Sequence, residues 1–434
     1  MNYEYIIPPV IALLLSAIVV RFKSILNPSG VILIWIGGWL YISNFSLTGI
    51  YPSGALTQNL ILTSLISFAL GSVIWLNTKV TINNHSIEYP KYYRIIYYIS
   101  SLLIVFWSIN AFYLFGNLGA NSYRSAVFGI DGYDSLLFGS KYESYLFKLI
   151  VTPIIFIGFL NGLKSLVLNN YPRPLMFSFP IFALMNLMFL GRAQLYASLV
   201  LIIYSFVLKI NRQNSSVTII KMIRKKMRRT VFIIVLLSIG GIIAVSLIRT
   251  ENRVSAIEMF NRYVIGYHTT GFAIFDSDLN NEKSILNAKF TYGRSLLGWI
   301  DSVIFIILHQ FDSSLMPING DLGWDLQRNR IIGYNIWGQT IKSNAFSTSF
   351  YTLYIDGRWL FIVIIPFLFG RVLSQAYLRN RACPNQYDFT LILILFYSGI
   401  FSIFQSPITG NVVWPVILFN LFFRRFSRKR SPLL

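Results

Sequence analysis

Cysteine is all but missing. Cys383 stands alone in the chain, so no internal disulfide can form. There are three histidines and no Cys/His cluster, which removes any basis for a structural zinc site. Charge is scarce as well: 12% of residues are charged, against about 25% in a soluble domain. That excludes an ordinary water-soluble fold, and a hydrophobic content of 55% excludes disorder. No Walker loop, nucleotide-binding glycine pattern, HExxH or GxSxG occurs. What the chain does have, over 434 residues, is long apolar runs and a mean hydropathy of +0.59. This composition belongs to a polytopic membrane protein.

A span needs about 20 mostly apolar residues. Eleven runs qualify: 4–20, 31–50, 57–76, 95–115, 147–163, 174–190, 193–210, 231–248, 359–378, 389–404 and 411–423. The first is no cleavable signal peptide, because Glu4 precedes it without a basic region and Arg21 and Lys23 follow it. The net charge of +21 first suggests nucleic acid, but the basic residues flank the apolar runs. With the N-terminus outside and the C-terminus inside, the inner loops hold 22 basic residues against two acids, Glu88 and Asp388, as the positive-inside rule asks. The expected architecture is an all-α polytopic membrane protein of eleven spans: helices 1–8 in 1–248, a large outer loop domain over 249–358, and helices 9–11 with a basic cytoplasmic tail in 359–434. The block Lys221–Arg229 reads as a stop signal for the span after it.

The loop 249–358 holds ten basic and ten acidic residues, a balance that suits a folded polar domain. Within it, Leu296–Leu308 is apolar, interrupted by Asp301 and too short to span; an interfacial or re-entrant helix is expected. A smaller outer loop covers 116–146. The spans carry no acid except near their ends, so the membrane part reads as a scaffold, and an ion-coupled transporter would need one inside. Arg371, the single mid-span charge, can snorkel.

Arg192 is the most informative residue. It lies in Gly191-Arg192-Ala193-Gln194, a turn on the outer side, where an arginine opposes the inside bias. Its planar fork suits a phosphate or diphosphate at headgroup depth, and contact with ordinary lipid headgroups is the plainer alternative. Arg249 and Arg253 fall at i, i+4 on one helix face and could clamp a diphosphate. Arg262 has Glu258 four residues before it as a helix partner. Arg294 directly precedes the interfacial stretch and could face a membrane-bound anion. His268 and His309 are the outer histidines, each a possible general base or a structural hydrogen bonder. Asp276-Ser277-Asp278 matches a DxD pattern, but it reads as a turn in a loop this rich in aspartate. The loop's many Tyr and Trp could stack on sugar faces or form an interfacial belt.

Several stretches resemble the O-antigen polymerases, or oligosaccharide repeat unit polymerases: Asn27-Pro28-Ser29-Gly30 opening the second span, Gly191-Arg192, Phe290-Thr291-Tyr292-Gly293-Arg294-Ser295-Leu296, Asn344-Ala345-Phe346-Ser347, and Leu353-Tyr354-Ile355-Asp356-Gly357. The many spans and the large outer loop before the last three extend the resemblance over most of the chain. After Asp-x-Gly many relatives carry a further glycine, where this chain has Arg358-Trp359. His309-Gln310 with Gly320 and Gly323 fits a loop pattern of the related O-antigen ligases.

The resemblance implies a glycosyltransferase of the bacterial inner membrane, acting at its outer face on undecaprenyl-diphosphate-linked oligosaccharides. The growing glycan leaves its lipid diphosphate for a sugar hydroxyl of the next unit, with a chain-length regulator (polysaccharide co-polymerase) as partner and no cofactor. Arginines can hold the leaving diphosphate without a metal: Arg192, Arg249 and Arg253, with Arg294 in reserve. A base must take the acceptor's proton: His268 or His309, with Glu251 as a substitute. An O-antigen ligase differs in its acceptor. A lipid-linked oligosaccharide flippase would be expected to carry charges deep in several spans and to lack a large outer domain, and a membrane-bound acyltransferase would carry an intramembrane histidine. Reporter fusions after residues 192 and 249 are expected to report the non-cytoplasmic side; a cytosolic signal at both would sink this assignment.

Overall fold

The computed structural model describes residues 3–74, 91–128, 136–213, 225–250, 260–312, 314–318, 329–334, 338–343 and 348–428. In chain order its elements are α1 (Tyr3–Phe22), α2 (Pro28–Ser43), α3 (Ala55–Val73), α4 (Lys91–Phe128), α5 (Lys141–Leu146), α6 (Thr152–Asn169), α7 (Arg173–Leu187), α8 (Ala193–Gln213), α9 (Lys225–Thr250), α10 (Tyr267–Leu279), α11 (Ile285–Ala288), α12 (Gly298–Leu308), β1 (Arg330–Tyr334), β2 (Thr340–Ser343), α13 (Ser349–Ala382), α14 (Gln386–Phe401) and α15 (Val413–Arg428). A π turn, Phe147–Val151, joins α5 to α6, and another, Asn261–Gly266, precedes α10. Each of the eleven apolar runs overlaps a helix among the described residues. Six helical stretches are long and apolar enough to cross a membrane: Tyr3–Phe22, Ala55–Val73, Tyr92–Gly119, Lys141–Asn169, Val231–Ile248 and Ser349–Ala382. The apolar helical stretches at the other five runs are shorter. Large apolar side chains stand exposed on α4 at Leu102, Phe106, Ile109 and Phe112, a helical face that suits lipid rather than water.

The chain divides into two compact units. Unit 1 comprises Met1–Ile82, Ser255–Cys383 and Ile394–Trp414; unit 2 comprises Asn83–Val254, Pro384–Leu393 and Pro415–Leu434. The described residues of 260–358 belong to unit 1, together with α1–α3 and α13.

Within unit 1, α2 starts where Asn27 accepts the Gly30 N–H at 2.9 Å, with Pro28 at the first helical position, where its missing N–H costs nothing. The Ser29 hydroxyl meets those of Ser72 and Ser374 at 3.0 and 3.1 Å. This hydroxyl relay ties α2 to α3 and α13. Gly71 permits the closest approach between α3 and α13, since a Cβ there would lie 1.9 Å from the Phe367 carbonyl oxygen. Small residues serve helix contacts in lipid in this way, because there van der Waals packing must replace the hydrophobic drive.

The expected span 31–50 is shorter in the structure, with α2 ending at Ser43. Residues 49–51 pair instead with β1, through Tyr51 N–H to the Ile332 carbonyl (2.8 Å) and Tyr334 N–H to the Gly49 carbonyl (3.0 Å). The antiparallel hairpin β1–β2 departs from an all-helical expectation.

The expected boundary at 358/359 is a kink inside α13. Gly357 and Arg358 leave helical geometry there, Arg358 with φ 52° and ψ −145°, a region that is nearly glycine-only. The Arg358 guanidinium compensates by donating to the carbonyls of Leu286, Asn287 and Lys289, which end the short helix α11. Arg358→Ala keeps the strain and loses these bonds, so a stability loss of about 2–3 kcal/mol is expected. Arg358→Gly also releases about 1–3 kcal/mol of strain and should cost less. Thermal unfolding in detergent checks this, and an alanine variant as stable as the glycine variant would refute it.

Candidate functional site

The chemistry of unit 1 is built around a buried carboxylate. Asp356 is fully enclosed. It accepts the Thr291 hydroxyl, the Ser295 N–H at 3.0 Å and the Leu296 N–H at 2.5 Å. Two of the stretches that carry the resemblance, 290–296 and 353–357, thus fold onto each other. The turn between Thr291 and Leu296 needs left-handed backbone at Tyr292 (φ 52°) and Gly293 (φ 86°), and it presents Arg294.

The Arg294 Nε donates to Asp301 at 2.7 Å, Nη2 donates to the Met316 carbonyl at 3.1 Å, and the guanidinium lies 3.9 Å from the centre of the Phe305 ring. Asp301 also accepts the Ile318 N–H at 2.6 Å. The aspartate that interrupts the apolar stretch therefore fastens both Arg294 and the segment after α12. His309, at the end of α12, lies 3.0 Å through Nδ1 from the Leu315 carbonyl. A carbonyl can only accept, so Nδ1 carries the proton and Nε2 is left with the lone pair. Arg294 and His309 thus bind adjacent carbonyls, those of Met316 and Leu315. Nearby, the hydroxyl and N–H of Ser314 hold the Asp312 carboxyl below its ordinary value. Ile304, Ile307, Leu308 and Phe311 are exposed along this helix and just beyond it, the apolar face an interfacial helix needs.

His268 occupies a different environment. It is 6% exposed, stacked 4.2 Å from Trp39 and edge-on to Trp35 and Phe404. Its Nδ1 donates to the Val264 carbonyl at 2.5 Å. Burial pushes its pKa down to about 4, although the Val264 carbonyl acts the other way. An enclosed imidazole of this kind is a weak base, and its aromatic setting explains it as a packing residue.

The aspartates of Asp276-Ser277-Asp278 sit in the last turn of α10 and point to separate tasks. Asp276 accepts the Gly54 N–H and the Thr57 hydroxyl at 2.8 and 2.7 Å, capping α3. Asp278 pairs with Arg330 at 2.7 Å and accepts the Tyr351 hydroxyl at 2.9 Å, anchoring the hairpin. Among the described residues no three His, Cys, Asp or Glu side chains gather as a metal site would require.

In unit 2, Arg192 opens α8 and is half-buried. The turn before it is tight: Leu190 is left-handed (φ 47°), and Gly191 N–H reaches the Asn186 carbonyl at 3.0 Å. The Arg192 Nη1 donates to the Ser246 hydroxyl of α9 at 3.1 Å. Arg249 follows three residues later in α9, so the structure brings Arg192 to the helix that carries it. The side chains of Arg249 and Arg262, together with Glu251, Arg253, Glu258, Gly320, Gly323, residues 344–347 and the side chains of the basic block 221–229, lie outside the described residues.

Sequence reading did not single out Ser246, although it lies one turn before Arg249 in the sequence. Asp356 stood within the stretch 353–357 that carries the resemblance, but its role could not be read, since its partners lie 60 or more positions away.

The depressed value at His268 has a consequence for stability. Its contribution is complete above the unfolded value near 6.5, falls as the pH drops, and is gone once the pH has passed through about 4. The loss amounts to about 3 kcal/mol. Melting in detergent from pH 7 to pH 4 should show this decline, and His268→Phe should flatten it; an unchanged slope would contradict the cage. The chain matches no family model, no curated protein and no solved structure.

Proposed function

We propose that this protein polymerises oligosaccharide repeat units linked to undecaprenyl diphosphate at the outer face of the bacterial inner membrane. The Arg192–Ser246 hydrogen bond carries this reading. A half-buried guanidinium at the end of apolar helices is a functional candidate, and the partner helix continues directly to Arg249. Arg253 is the further candidate that the sequence spacing offers, four positions after Arg249. These three arginines grip the donor diphosphate and stabilise the charge it gains as the glycan departs.

In the reaction the acceptor sugar hydroxyl attacks the anomeric carbon of the donor glycan. The bond from that carbon to the diphosphate oxygen breaks, and the diphosphate keeps the electron pair. The hydroxyl proton goes to a base. His309, in unit 1, is a candidate base, its Nδ1 held by the Leu315 carbonyl, and Arg294 stays a candidate ligand for a membrane-bound anion. Glu251 remains a second candidate base. The exposed rings of Tyr292, Tyr334 and Tyr51 offer stacking faces for sugars. A ligase reading shares the same residues, because His309 also begins the ligase-like pattern; the two differ only in acceptor.

Arg192→Ala should lower polymerisation on the order of 100-fold, leaving single repeat units in place of long ladders on surface-glycan gels while the protein still inserts. Ser246→Ala should shorten the ladder less, by about fivefold in rate. Loss of every attached repeat after gene deletion would favour the ligase, and normal ladders from Arg192→Ala would overturn the proposal.

A further inference from the structure

Serines in the apolar helices of this chain follow a habit. Ser72, Ser101, Ser108, Ser246 and Ser302 each return the hydroxyl to the carbonyl four residues back, at 2.7–2.9 Å. This satisfies a donor for which lipid offers no acceptor. Ser64 of α3 and Ser398 of α14 break the habit. They are 3% and 2% exposed, and among the described residues neither hydroxyl meets a partner. Both serines line one cavity.

The cavity lies wholly within unit 1, where α2, α3 and α14 meet both arms of the kinked helix α13. One end is polar. Ser349, the first residue of α13, sends its N–H to the Ser402 carbonyl at 2.8 Å and its hydroxyl to that of Ser406 at 3.4 Å. The Ser402 hydroxyl donates to the Gly399 carbonyl at 2.7 Å, and that of Thr352 to the Thr348 carbonyl at 3.5 Å. These donors are engaged already. The other end is apolar: the rings of Phe68 and Phe369 lie 6.0 Å apart, and Pro366 lines the wall with them. Ser398 stands one turn from Ser402, and Ser64 one turn from Phe68.

The lining selects among occupants. It holds no charged residue, so a carboxylate or a phosphate would enter without a counterion. The free space is about 590 Å3 counted out to the mouth, which takes about twenty water-sized groups at roughly 30 Å3 each. Water is a poor filling, because each buried molecule needs about two to four polar partners and the walls are mostly apolar. A prenyl chain has no oxygen along its length and would leave both hydroxyls without an acceptor. An ester-linked acyl chain meets both demands. Its carbonyl oxygen has two lone pairs for serine donors, and its hydrocarbon fills the aromatic end. We propose that this cavity holds one acyl chain of an ester-linked membrane lipid, with the ester carbonyl on the hydroxyls of Ser64 and Ser398. Lying between the two arms of α13, the chain braces the strained kink at Gly357 and Arg358. The site is independent of Arg192 and of the glycan reaction.

The test uses the full chain, purified in detergent and titrated by native mass spectrometry with palmitoyl lysophosphatidylcholine and with its hexadecyl ether twin. The two probes share headgroup and chain length and differ in the carbonyl alone. The wild type should bind the ester about fivefold more tightly. The double variant Ser64→Ala with Ser398→Ala should bind both probes alike. Farnesyl phosphate at equal concentration should leave the ester in place. Equal wild-type affinity for ester and ether overturns the proposal, and this comparison needs no variant. A preference that survives in the double variant also overturns it, because the carbonyl is then read elsewhere. Displacement by farnesyl phosphate gives the cavity to a prenyl chain, and failure of both probes to bind leaves it without a lipid; either result refutes an acyl occupant.

Discussion

A polar group removed from water must find its partner inside the protein, and in apolar surroundings the penalty for failing is several times larger than the gain of any single contact. Unit 1 is organised by this constraint. Its carboxylates Asp276, Asp278, Asp301 and Asp356 each accept at least two donors. Most of these partnerships join residues more than 50 positions apart. Asp276 fixes α10 to the start of α3, Asp278 fixes it to the hairpin and α13, Asp301 fixes α12 to Arg294 and Ile318, and Asp356 fixes α13 to the turn before α12. These four carboxylates between residues 276 and 356 therefore turn inward and fasten this stretch to the apolar helices.

Unit 2 follows the opposite regime. Among its described residues the acids are Glu143 and Asp388, which accept from neutral donors: Glu143 from Trp107 and Gly139, Asp388 from the Asn385 amide at 2.7 Å. Cations of this unit reach hydroxyls and amides, as Arg192 reaches Ser246, Lys164 reaches Gln386 and Lys209 reaches Asn170. A hydroxyl orients a guanidinium without neutralising it. The two units show why counting charges along a chain is less informative than asking what each charge touches.

The apolar runs were legible because hydropathy is a property of neighbours along the chain, and α1, α3, α4, α9 and α13 each supply a long window of it. The end of α2 was not, since Gly49–Tyr51 are withdrawn from the helix by β1, which lies some 280 positions away. The border at 358 was misleading for a related reason. Composition changes there, but the helix α13 continues through a strained kink held by Arg358. The arginine that departs from the glycine of the resembling family is thus the residue that stabilises the departure. Of the candidate residues, Arg192 was offered by its expected place against the charge bias, Arg249 by its spacing to Arg253, and Arg294 by its place before the apolar stretch of α12. His268 and His309 could not be told apart in sequence, because their difference is tertiary: one imidazole lies among Trp35, Trp39 and Phe404, the other is exposed at the end of α12.

The magnitudes bear on whether arginines suffice for the chemistry proposed. A unit charge that develops about 4 Å from a fixed cation gains roughly 4 kcal/mol at an effective dielectric of about 20. Only the charge that appears in the transition state counts towards rate, because attraction present in the ground state merely tightens binding. For a departing diphosphate that increment is at most one charge. Two cations at this distance would then lower the barrier by up to about 8 kcal/mol, and each 1.4 kcal/mol is about tenfold in rate. That gross figure holds only if the cations need not reorganise as the bond breaks. A guanidinium already held by Ser246, at the end of a turn pinned by the Tyr123 hydroxyl on the Met188 carbonyl and by the Phe147 ring on Phe189, meets that condition, whereas a solvated arginine on a mobile loop would spend much of the gain on being ordered. That packing at the turn is therefore part of the electrostatic argument, because fixed position is what turns a positive charge into catalysis.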